Sequence, residues 1–61
     1  MTDQPADAAL TKAREGRDYF LVGFTFAAMR RGATYAEAQL LGIQGFALSF
    51  PAEAALIKAA A

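Results

Sequence analysis

Few residues in this chain are able to do acid–base or nucleophilic chemistry, and their spacing points away from catalysis. There is no histidine and no cysteine, which removes the commonest general base, the commonest activated nucleophile and the usual transition-metal ligands. Glu15 and Asp18 lie one helical turn apart, but Arg14 and Arg17 interleave with them. Such a pattern makes a solvated, ion-paired surface rather than an acid–base pair. Ser49 is the only serine and has no candidate base beside it. Lys12 and Lys58 sit in polar or alanine-rich surroundings that do not desolvate an amine. Gly42-Ile43-Gln44-Gly45 lacks both the spacing of a dinucleotide fingerprint and the lysine of a phosphate loop. The expectation is a protein that is not an enzyme, with no cofactor, no metal and no small-molecule substrate. Arg30-Arg31 is the one remaining pair with binding chemistry, suited to a phosphate or an acidic partner; a solvated helix end is the simpler account of it.

The elements that carry these residues are helical. From about Asp7, apolar and long side chains recur at spacings of three and four (Leu10, Ala13, Arg17, Phe20, Phe24, Ala27, Arg31), which is one helical face. Gly16 is a point where this helix could divide. Residues 1–6 read as a frayed leader. Arg30-Arg31-Gly32 closes the first helix: the cations complement its carboxyl-end dipole, and Gly32 accepts a left-handed conformation. Thr34-Tyr35-Ala36-Glu37 then has the spacing of a capping box, so a second helix starts at Tyr35. The link is too short to separate the two, which become a hairpin or crossed pair. On the second helix Ala36, Leu40, Ile43, Ala47 and Phe50 share a face, and Gly42 and Gly45 either weaken the helix or end it. Pro51 disfavours helix at Phe50 and can open a short third helix over 51–60, anchored by Leu56 and Ile57. The predicted fold is all-α: a first helix over about 7–31, a second over about 35–49 and the short third, forming one domain over 1–61 completed by oligomerisation.

Residues 34–48 resemble the helix-turn-helix of bacterial regulators and of sigma-factor promoter-reading domains. Ala38, Gly42, Ile43 and Leu48 fit its scheme of a small residue, a turn glycine and two apolar positions. The resemblance implies a DNA-binding regulator built on residues 34–50. A recognition helix there would hold no basic residue and would stop at Pro51, whereas lysine and arginine contacts to phosphate supply most affinity in such domains.

Size and charge limit the partners further. The 61 residues carry no net charge at pH 7, so general attraction to nucleic acid or to an anionic membrane is not expected. Five of the six basic and four of the six acidic residues fall in the first 31. The amino terminus is polar and acidic, unlike a secretory signal, and the lack of cysteine fits the cytoplasm. No apolar run reaches the length that crosses a bilayer, leaving a small membrane-associated protein as a third alternative.

The decisive stretch is Tyr19–Met29, apolar on nearly every side. Phe20, Leu21, Phe24, Ala27 and Ala28 form one face; Tyr19, Val22, Phe26 and Met29 form another. A single hairpin cannot bury both, and a helix greasy all round must be covered on both sides. A chain of this length without disulfide or metal has little else to cover it with. The expected function is therefore non-catalytic protein–protein interaction, with Tyr19, Val22, Phe26 and Met29 as the interface. The partner is a second copy of the chain, a larger protein on which this one is an accessory or inhibitory subunit, or both.

Overall fold

A computed structural model describes residues 5–61. Three helices follow one another: α1 (Pro5–Arg30), α2 (Tyr35–Ser49) and α3 (Pro51–Ala60). Each packs on the other two. The predicted all-α hairpin with a short third helix is the observed fold.

The helix ends are set by short-range chemistry. Gly32 has φ 105°, the Gly32 N–H donates to Met29 C=O at 3.0 Å and the Ala33 N–H to Ala28 C=O at 3.1 Å. This is the paired closure in which a left-handed glycine lets two otherwise orphaned carbonyls accept bonds. At the start of α2 the Glu37 N–H donates to Thr34 Oγ1 at 3.1 Å and the Thr34 N–H donates to Glu37 Oε1 at 2.9 Å. Phe50 closes α2, its N–H donating to Phe46 C=O at 2.7 Å, and its own carbonyl accepts from Ala54 in the first turn of α3. Pro51 occupies the first turn of α3, where a missing N–H leaves nothing unsatisfied. One residue thus joins α2 to α3, at a bend of 114°.

The capping box makes a testable contribution. Thr34→Ala removes the bond to the Glu37 amide and is expected to cost about 1 kcal/mol, read as a lower melting temperature. The Thr34 backbone N–H, and secondarily its hydroxyl, hold the Glu37 carboxyl below its ordinary value. A carboxyl depressed on folding contributes in full above its unfolded value and loses that contribution as pH falls through the folded one. Helix content followed by circular dichroism should therefore decline on the acid side of the carboxylate range, and Glu37→Gln should shallow that decline.

Two sequence expectations change. α1 takes in Pro5 and Ala6, which the sequence reads as the end of a leader; residues 1–4 of that leader lie outside the described residues. Gly16 does not divide α1, which runs unbroken. The structure also settles which side of α2 faces inward. Ala38, Gly42 and Phe46 are buried, while Leu40, Ile43 and Ala47, which the spacing places on one shared face, are exposed. Helix approach decides this. A Cβ built at Gly42 would lie 2.7 Å from Leu21 Cδ2 and 3.3 Å from Phe24 Cδ1, and one at Gly45 would touch the Phe20 and Phe24 rings at 3.6 Å. Small residues on α2 let two aromatic rings of α1 lie against its backbone, and the larger aliphatic side chains are turned outward.

Candidate interaction surface

The inner face of α1 is defined by what it buries. Ala13 and Thr25 are buried and Phe20, Leu21, Phe24 and Ala28 are half-buried. Phe20 lies at the centre of an aromatic cluster: its ring centroid is 5.8 Å from Phe24, 5.8 Å from Phe46 and 6.0 Å from Phe50, and Phe46 and Phe50 are 5.4 Å apart. Thr25 is the one buried polar side chain among the described residues. Its hydroxyl accepts from Gln39 Nε2 at 3.3 Å, and the same amide donates to Tyr35 Oη at 3.2 Å. That polar clamp was not foreseen: Thr25 reads as a gap between apolar faces and Gln39 as an interruption in an uncharged stretch.

With that side of α1 turned inward, the opposite side is fixed. Tyr19 is 86% exposed, Val22 61%, Phe26 69% and Met29 45%. Their spacings of three, four and three place them in one stripe along the outer face. The structure brings together all four residues singled out from the sequence and leaves all four uncovered. Arg30 and Arg31 are exposed at the carboxyl end of the same helix. Near its middle, Glu15, Asp18, Tyr19, Val22 and Gly23 line an open trough of ≈ 610 Å³. Of the ion pairs expected around Glu15 and Asp18, the described residues show Arg17–Asp18 at 3.9 Å.

The molecule is correspondingly extended. Its radius of gyration is 13.2 Å, against about 10.5 Å for a compact domain of this length. Its accessible surface is 4801 Å², against roughly 3,800 Å² expected for a folded monomer of this mass.

α2 also exposes Leu40, Leu41, Ile43 and Leu48. A shallow groove of ≈ 370 Å³ between α2 and α3 is floored by Phe46, Ala47 and Ile57. Arg17 also lines it, and the Arg17 Nε is buried without a hydrogen-bond partner. α2 runs unbroken through Gly42, so the turn that the helix-turn-helix resemblance requires there is not formed; the chain bends eight residues later, at Phe50. Gly42 serves close packing and not a turn. Among the described residues no single helix is long and apolar enough to cross a membrane, and α2 with α3 reaches that composition only across the sharp bend. No cluster of three potential metal ligands occurs among them.

No family model matches this chain, and no curated protein or solved structure is significantly similar to it.

Proposed function

We propose that the chain is a small non-catalytic interaction module that works by burying the outer face of α1 against another protein surface. The single observation that carries this reading is the exposure of Tyr19, Val22, Phe26 and Met29 on a helix whose inner face is already occupied. Apolar burial is the larger driving force here. Each large side chain moved out of water contributes roughly 1.5–3 kcal/mol, whereas an exposed ion pair made by Arg30 or Arg31 contributes about 0–1 kcal/mol. The arginines then bias where and how the partner lands, and the stripe holds it.

A water-soluble nitroxide tests the reading, because it broadens the resonances of protons it can approach. In the lone chain the Val22 methyl and Phe26 ring protons are expected to be broadened, with the buried Phe46 ring as the protected internal control; in an assembly they become shielded. A chain with the mass of one copy, in which the Phe26 ring is as well protected as Phe46, would overturn the proposal.

A further inference from the structure

We infer that the occupant of the outer face of α1 is a second copy of this chain, lying antiparallel about a two-fold axis beside Val22 and Gly23. The inference rests on the interaction reading above and goes further by naming the partner and its register.

The trough provides the first argument. Glu15, Asp18, Tyr19 and Val22 stand at positions i, i+3, i+4 and i+7, the four-residue diamond that receives one side chain from a facing helix. Its midpoint falls between Asp18 and Tyr19. In an antiparallel pair crossing beside Val22 and Gly23, residue numbers of directly opposed positions add to about 45. The side chain that arrives over the diamond is then Phe26 of the second copy. By symmetry each copy gives one Phe26 and receives one, as a self-complementary two-fold interface requires. Tyr19 of each copy meets the incoming ring.

Charge provides the second. The same register sets Arg30 of one copy opposite Glu15 of the other. Glu15 and Arg30 are both exposed, and neither has an ion-pair partner within the chain among the described residues. A parallel pair would instead set Glu15 against Glu15 and Arg30 against Arg30. Antiparallel packing also opposes the two helix dipoles favourably.

Because the chain has no cysteine, single cysteines can read the register directly. In the inferred dimer two Val22 positions stand about 1.5 Å apart along the helix axes and two Met29 positions about 20 Å apart, while a disulfide needs Cβ atoms within about 4.5 Å. Val22→Cys is expected to give a covalent dimer on mild oxidation, Met29→Cys is not, and an equimolar mixture of Tyr19→Cys and Phe26→Cys gives the mixed dimer. Glu15→Arg alone weakens dimerisation about tenfold, measured by sedimentation equilibrium, and adding Arg30→Glu in the same chain restores it. Cross-linking of both Val22→Cys and Met29→Cys overturns the antiparallel register. A wild-type mass of one chain up to millimolar concentration overturns the second copy as occupant. In that event a nitroxide-accessible Phe26 leaves the interaction reading standing, and a protected one removes both.

Discussion

Phe46→Ala is expected to leave the chain unfolded at room temperature. Phe46 is 4% exposed and is the largest of the buried side chains. Its ring touches Phe20 from α1 and Phe50 from the junction with α3, so all three helices lean on it. Truncating a buried phenylalanine to alanine costs about 3–5 kcal/mol. A single core in a chain of this length rarely supplies more than about 3–5 kcal/mol in all. The two quantities are equal within error, so the helical circular dichroism signal should collapse. Phe26→Ala, on the outer face, should keep it in the dilute chain. A Phe46→Ala variant that melts like wild type would show that the ring cluster is not what holds the helices together.

Gly42→Leu is the second large effect, and its sign depends on size. Alanine at this position must displace the flexible tip of Leu21, 2.7 Å from its Cβ, and ease back the Phe24 ring at 3.3 Å, against which the better helix propensity returns about 1 kcal/mol; the net change is small. Leucine adds three more carbons where the Phe24 ring already stands 3.3 Å from the first. α1 and α2 must then part, at about 1–3 kcal/mol for the overpacking, and the aromatic cluster loses contact. A urea midpoint well below that of both wild type and Gly42→Ala is expected. Equal midpoints for alanine and leucine would mean that the helices are not held at close range there.

These two sites also mark where sequence reasoning succeeds and where it stops. The helix ends were legible because each is written in a few adjacent residues with a local mechanism: Arg30-Arg31-Gly32, Thr34 with Glu37, and Phe50-Pro51. The stripe of Tyr19, Val22, Phe26 and Met29 was legible as a face, because α1 has two apolar sides and a small hairpin has room to cover one. The inward side of α2 was not legible. Apolar residues surround that helix, so periodicity carries little information about phase, and ranking its faces by hydrophobicity selects Leu40 and Ile43. Close approach to Phe20 and Phe24 selects the smallest residues instead, and the preference of Ala38 and Gly42 for the interior arises only once two helices are in contact. Thr25 was missed for a related reason: its burial depends on a hydrogen bond from Gln39, fourteen residues away.

The outward side of α2 has a consequence for how the protein behaves when crowded. Leu40, Leu41, Ile43 and Leu48 face water, and no charged side chain occurs from Ala38 to Ala52. The chain as a whole has its isoelectric point near 6.1. Close to neutrality, then, neither overall nor local electrostatic repulsion keeps this surface from meeting its like, the condition under which colloids lose their dispersity. Because the chain has no histidine and no cysteine, a net charge returns only when acid protonates its carboxylates or alkali discharges its lysines, and turbidity is expected to persist across the range between.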